Sequence, residues 1–496
     1  MLPIMDYLDK NKESRQRIVL FVGYILIGLA IVVAALVLKY QADGYGVNKK
    51  GDVIQNGLTF FSSHPAPANI YINGRLNSVK TNTRLSLPSG VYDVKLTRTG
   101  YYDWQRNIEV NGGSVQHYDY PFLFPKLLTT KKIQNFSLAP SLMTQSLDLR
   151  WVMIQSNANP SEFTVYDIKS PDTPASTISI PASLITKAVG GETWQVAEWA
   201  DDNQHVLLQH NYDSKSEFIL VDREAPQSSL NLNATLKINP SKITLNDKKY
   251  DKYYIYDSAG ATLQKVSLKN PTPATLLSHV VAYKTYSDNT VLYISNQDSV
   301  AGKVNVRLLE GDKTYNIRIL TAGSSYNVDL TKYDGIMYVV AASSGDNRAY
   351  IYRDPVGQLN RLPEQPLASA QVLRVDQVNY VSFSPIAQYI LAENGNNFGV
   401  YDIENKTSFK YTTSEAFDAP QTHASWMDGN RLLYTSNGKL IVFDYDHTNL
   451  HQLMASSSSY LPAFSPDYKN VYNIAQAPST AELDFFQTSL RTAQDR

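Results

Sequence analysis

The chain has 496 residues, with 45 Lys and Arg against 46 Asp and Glu and a net charge of −1. It therefore offers no basic field for nucleic acid and no acidic field for cationic substrates. It contains no cysteine, which excludes a disulfide framework, a thiolate metal site and a cysteine nucleophile.

From Ile18 to Leu38 run 21 residues without a charge or a proline. As a helix at about 1.5 Å per residue this run is about 31 Å long, the thickness of a bilayer's hydrocarbon core. Lys10, Lys12, Arg15 and Arg17 precede it, whereas only Lys39 follows before Lys49. Because basic flanks stay on the cytoplasmic side, the sequence predicts a cytoplasmic tail over 1–17, a transmembrane helix over 18–38 that contacts the lipid bilayer, and all later residues outside. A cleaved signal peptide would need a shorter apolar region and a small-x-small site, which Lys39-Tyr40-Gln41-Ala42-Asp43 does not supply. The expected location is the cell membrane, single-pass, with 39–56 as a juxtamembrane connector.

Past the connector, short runs of Tyr, Val, Ile and Thr are broken by Asn-Gly, Ser-Gly and Gly-Gly pairs, the pattern of strands joined by tight turns. Ala68-Asn69-Ile70-Tyr71-Ile72 alternates before Asn73-Gly74, Val91 to Leu96 alternates before Thr99-Gly100, and Asn107 to Val110 runs into Asn111-Gly112-Gly113. The spacing predicts a small antiparallel β-sandwich over 57–125.

These residues resemble the PEGA domain, a small extracytoplasmic β-sandwich of membrane-anchored and surface proteins. The resemblance rests on Ser63-His64-Pro65, Ile70-x-Ile72-Asn73-Gly74, Pro88-Ser89-Gly90-Val91-Tyr92 and Gly100-Tyr101, with Ser89 at the second position of the name-giving motif. It implies location and architecture and brings no catalytic residues.

Beyond about Leu127 an aromatic residue, a polar turn and an apolar run recur at Trp199, Tyr286, Tyr333, Phe383, Trp426 and Phe464, spaced 87, 47, 50, 43 and 38 residues apart. The first gap spans two periods and holds a degenerate copy at Ile243–Tyr250, and another copy, Ser146–Met153, precedes Trp199. Periods of this length signal stacked blades, here seven or eight over 126–490, followed by a short tail at 491–496. The turns Ser465-Pro466-Asp467 and Asp428-Gly429 resemble those of β-propellers of the TolB and WD40-like class. Closing a ring removes two open sheet edges, so Lys132–Ser137 is expected to pair beside Leu483–Gln487.

The fold class is thus mainly β: one transmembrane helix, a PEGA-like sandwich and a propeller. No Gly-x-Ser-x-Gly elbow, His-Glu-x-x-His or phosphate-binding glycine loop occurs, so no catalytic residue and no cofactor is assigned. Asp444, Asp446, His447 and His451 fall within eight residues and combine carboxylate and imidazole, the candidate metal ligands. A solvated turn explains the same residues, and Asp201-Asp202 sits at the repeated turn position. Of five tryptophans, Trp151, Trp199 and Trp426 lie at repeat positions and are expected in the core. Trp104 and Trp194 lie outside them and are the candidates for exposed contact with sugar or peptide. The expected function is an extracytoplasmic scaffold or binding protein whose propeller recognises a protein, peptide or cell-envelope polymer. The alternatives are a propeller enzyme, such as a glycan or peptide hydrolase or lyase, and a structural spacer.

Overall fold

In the computed structural model, which describes residues 10–42, 44–47, 51, 53–155, 159–362, 367–477 and 481–495, the apolar run lies within a 33-residue helix, Lys10–Ala42. The first nine residues of the expected cytoplasmic tail, 43, 48–50 and 52 of the expected connector, and Arg496 of the C-terminal tail lie outside the described residues. Apolar side chains cover the helix all round, with Phe21 67 % and Leu38 65 % exposed and none buried against the rest of the chain. A surface helix of a soluble domain would show one polar face; this one is long and apolar enough to cross a membrane. Such a helix near an N-terminus is an anchor or a signal sequence.

The chain divides into two compact units, Met1–Lys126 and Leu127–Arg496. In the first, two four-stranded sheets follow the helix. In one, the long strand Val53–Phe61 pairs with Tyr45–Val47, Thr83–Pro88 and, in parallel, Val115–Tyr118. The other runs Arg75–Lys80, Asn69–Ile72, Gly90–Thr97, Trp104–Val110. Phe61, Ile70, Val94, Leu96 and Ile108 fill the core, each at most 2 % exposed. The Asn73-Gly74 turn takes φ of +48° and +75°, the left-handed pair that a two-residue hairpin requires. Asn73 Oδ1 also accepts the Asp93 N–H at 2.9 Å, tying the turn to the next strand. The region expected as a connector is partly sheet, since Tyr45–Val47 pairs with Val53–Gln55.

Among the described residues the second unit is eight four-stranded antiparallel sheets in chain order: blades 142–179, 192–231, 242–277, 280–321, 326–373, 380–412, 425–455 and 463–489. The eighth has only three strands from its own segment. Thr129–Phe136 supplies the fourth, with Leu483 opposite Phe136 and Gln487 opposite Lys131, the expected closing pairing. Apolar clusters fill the spaces between blades. Trp199, Val206 and Met153 join blades 1 and 2, and Tyr472, Phe485 and Val152 join blade 8 back to blade 1. The ring is a closed eight-bladed β-propeller, and both degenerate repeat copies belong to real blades.

Aspartates make the repeated turns. Asp202 Oδ1 accepts the N–H groups of Gln204 and His205, and Asp428 Oδ1 those of Asn430 and Arg431, at 2.8–3.0 Å. Asp222 and Asp402 do the same where the third strands end. The Asp201-Asp202 pair is therefore turn chemistry.

Candidate functional site

The first strands of blades 1 to 3 lie against one another in turn, as do those of blades 4 to 6, and these strands wall the bore of the ring. Side chains stitch them in a belt. Gln145 exchanges hydrogen bonds with the Phe464 backbone at 2.7 and 3.2 Å, linking blades 1 and 8. Trp199 Nε1 donates to Thr144 Oγ1 at 2.8 Å, and Glu198 Oε2 accepts the Leu245 N–H at 2.7 Å. The hydroxyls of Thr244 and Tyr283 meet at 3.0 Å. Asp329 then receives the Lys284 ammonium at 3.2 Å and the Phe383 N–H at 3.1 Å, spanning blades 4, 5 and 6. Trp426 Nε1 donates to Ser382 Oγ at 3.0 Å, joining blades 6 and 7.

Between the first strands of blades 2 to 6 the bore opens into a cavity of about 680 Å³, within the range of small-molecule sites. Lys242, Tyr283, Lys284, Tyr286, Glu198 and Asp329 line it together with Thr285, Thr331 and Phe383. Asp247 and Lys248 line it too, and of its three acids two are engaged, Glu198 with Lys248 and the Leu245 N–H, Asp329 with Lys284 and the Phe383 N–H. Lys242 is different. Its ammonium stands 5.1 Å from the centre of the Tyr283 ring and has no hydrogen bond or ion pair among the described residues. The surrounding walls, and then the like charge of Lys284, pull its pKa below the ordinary lysine value against the opposite pull of the Glu198 carboxylate. Burial pushes the Tyr283 hydroxyl up, so it stays protonated and can donate or accept.

Glu393 and His210 are buried titratable groups on second strands of their blades. Glu393 is fully buried; Oε1 accepts the Ala424 N–H at 2.9 Å, and burial holds its carboxyl well above the usual range. His210 is fully buried in blade 2, with Nδ1 2.9 Å from Glu217 and Nε2 2.9 Å from Glu192, its ring stacked on Trp194.

The tryptophans expected at an exposed surface are core. Trp104 is 1 % exposed and meets Tyr120 edge-on at 5.9 Å; Trp194 is 3 % exposed, between Phe163 and His210. A bulge explains Trp194: at Val196–Glu198 the strand carries one extra residue, so Trp194 and Trp199, five apart, turn to the same inter-blade core instead of opposite faces. Trp199 is likewise buried, whereas Trp151 and Trp426 are half-buried, Trp151 lying between the guanidinium groups of Arg150 and Arg223 at 4.5 and 3.9 Å.

The candidate ligands at 444–451 do not converge on one point, and among the described residues no group of three His, Asp or Glu is placed to hold a metal. Asp444 accepts from Asn449 at 2.9 Å and lies 3.5 Å from Arg431 Nε; Asp446 accepts the Thr448 hydroxyl at 2.7 Å. His447 stacks on Tyr411 at 4.9 Å, and burial takes the His451 imidazole down to about 4. The belt residues Glu198 and Asp329 and the bore residue Lys242 were not singled out by the sequence, which carries no local motif for them.

These features define a protein with an apolar N-terminal helix, a small β-sandwich and a closed propeller. The family model described as PEGA domain matches residues 58–123, within the first unit. No curated protein matches the chain. Among solved structures, the Dos1 propeller aligns at 13 % identity with a TM-score of 0.45, over 73 % of this chain and 96 % of that one. An oligogalacturonate lyase from Vibrio parahaemolyticus aligns at 10 % identity and 0.38, over 74 % of this chain and 100 % of that one. Hsv2p of Kluyveromyces lactis aligns at 10 % and 0.38, over 64 % and 97 %. At such identities and TM-scores none of them assigns an activity to this chain.

Proposed function

We propose that this chain is a membrane-anchored, extracytoplasmic binding protein whose propeller takes a cell-envelope polymer or protein into its bore. The N-terminus is cytoplasmic, in keeping with the four basic residues ahead of the apolar run. Residues 18–38 span the bilayer, 57–125 form the PEGA-like sandwich and 126–490 the propeller. Anchoring confines the propeller to the membrane surface and raises its effective concentration for envelope partners.

One observation carries the binding reading: the cavity brings aromatic faces, hydroxyls and ammonium groups together, while two of its three lining carboxylates, Glu198 and Asp329, are tied up. Glu198 and Asp329 hold neighbouring strands together.

The test is capture from detergent-solubilised envelope with the full chain and with Ala197→Trp. Ala197 is exposed at the bulge and lines the bore, so a bulky ring there fills the cavity without entering the core. Polymer or protein retained by the native chain and lost from a variant of unchanged melting temperature is the expected result. Identical capture by both would overturn the bore as the binding site.

A further inference from the structure

The apolar helix and the sandwich are joined with no slack. The helix ends at Ala42, and Gly44, at φ of +80°, donates back to the Gln41 carbonyl at 3.1 Å while its own carbonyl accepts the Asn56 N–H at 2.7 Å. A Cβ at Gly44 would meet the Asn56 carbonyl oxygen at 2.6 Å, so only glycine lets the helix end lie this close to the strand Val53–Phe61. Tyr40, on the last helical turn, meets Tyr45, on the first strand, edge-on at 5.4 Å. Leu38 closes the apolar run, and from there to Ala42 the helix rises only about 6 Å, the depth of a headgroup layer. A pair of tyrosines at that height is where interfacial aromatic residues sit. Asn56 and the groups bonded to it therefore lie at the membrane–water boundary when the helix spans.

Those groups are one end of the sandwich. The Asn56 carbonyl accepts the Gly113 N–H at 3.0 Å, the Gln55 carbonyl accepts the Ser89 N–H at 3.1 Å, and Pro88 pairs opposite Asn56. Three valines stand out around this end: Val53 is 70 %, Val91 68 % and Val115 59 % exposed, whereas Val94 and Leu96, further along the strand that carries Val91, are fully buried. Val53 lies where its strand, paired there only with Tyr45–Val47, runs out beyond the pairing with Thr83–Pro88. Glu109, exposed opposite Val91, is an acid at this end, so the surface offers apolar contact and no cationic field for headgroups. Apolar side chains gathered at the height of the headgroups lower their free energy by entering the acyl boundary.

We propose that this end of the sandwich is seated in the bilayer surface, with Val53, Val91 and Val115 entering the boundary between headgroups and acyl chains around the helix's exit and Tyr40 and Tyr45 at the same level. The sandwich then rides on the membrane and is not tethered above it. This rests on the reading of residues 18–38 as a span and adds a lipid-facing surface outside that span.

The chain has no cysteine, so Leu29→Cys, Val91→Cys, Val115→Cys and Thr99→Cys each take one nitrobenzoxadiazole label. Leu29 is mid-span, and Thr99 is exposed in the turn after the strand that Val91 opens, about 20 Å further along it. The full chain is placed in phosphatidylcholine nanodiscs whose lipids carry either a headgroup spin label or mid-chain bromines. Headgroup quenching is expected at Val91→Cys and Val115→Cys and not at Thr99→Cys, with mid-chain quenching at Leu29→Cys. Adding Val53→Asp and Val91→Asp to the labelled Val115→Cys chain should cut its headgroup quenching about two-fold or more, at an unchanged melting temperature because all three sites are exposed. Labels at 91 and 115 as unquenched as at 99, with Leu29→Cys quenched, would overturn the seat and leave the anchor standing. Equal quenching at 99 would overturn seating by this end, and no quenching at Leu29→Cys would overturn the anchor and the seat with it.

Discussion

Replacing Glu217 tests whether an ion pair holds the interior of blade 2. The carboxylate accepts four hydrogen bonds: from His210 Nδ1 at 2.9 Å, Thr186 N at 2.7 Å, Thr186 Oγ1 at 2.9 Å and Asn231 Nδ2 at 2.8 Å. Burial alone would lower the His210 pKa, but the bonds to Glu217 and Glu192 outweigh it and hold the imidazole above its ordinary 6.5. Burial alone would raise Glu217, but His210, Thr186 and Asn231 outweigh it and hold the carboxyl below its ordinary 4.5. A raised histidine contributes stability that is complete below pH 6.5 and is lost as pH rises through the folded value. A lowered carboxyl contributes stability that is complete above pH 4.5 and is lost as pH falls through its folded value. Both contributions are therefore full only between these limits. Glu217→Gln keeps the shape and removes the charge, so one charge-assisted bond is lost, about 2 kcal/mol. Glu217→Ala also strands His210 and three donors, costing about 3–5 kcal/mol. Urea unfolding of the full chain in detergent, followed at about pH 5.5 and about pH 9, reads the difference. The glutamine deficit should be largest at the lower pH and shrink at the higher, where His210 is neutral. An equal deficit at both would refute the ion pair.

Trp194→Ala and Trp104→Ala should each destabilise their unit by about 3–5 kcal/mol, and a melting temperature unchanged in either would show that the ring is not core. Phe136 is 5 % exposed on the closing strand, so Phe136→Ala should cost about 3–5 kcal/mol. Its hydrogen exchange should quicken first in Leu483–Ser489, and a uniform loss of protection across all blades would contradict closure there. The chain has no cysteine, so Val189→Cys, at a site 96 % exposed, makes a single reporter of topology. A membrane-impermeant maleimide should label it on intact cells, and labelling only after lysis would reverse the orientation.

What the sequence discloses is what is local. Asp428-Gly429 and Ser465-Pro466-Asp467 mark blade turns because an aspartate binds N–H groups two or three residues on, within the turn itself. The closing strand was legible because a ring needs one. The strands Tyr45–Val47 and Arg75–Lys80 were not, since the first is three residues long and Arg75–Lys80 is largely exposed, so neither shows a buried alternation. The misreading of Trp194 has a sharper cause. Parity along a strand assigns residues to faces, and a single bulge residue, Ala197, reverses the assignment for everything before it. The belt was out of reach because its partners, such as Thr144 with Trp199 and Ser382 with Trp426, are 55 and 44 residues apart.

The belt also bears on function. Glu198 and Asp329 each bond to a backbone N–H on the next blade's first strand, so removing either leaves a donor at the bore wall without its partner. Among the described residues the Lys242 side chain has no hydrogen bond or ion pair, only the face of the Tyr283 ring at 5.1 Å. Within one cavity, then, Glu198 and Asp329 do structural work, so substitutions at Asp329 should move the melting temperature.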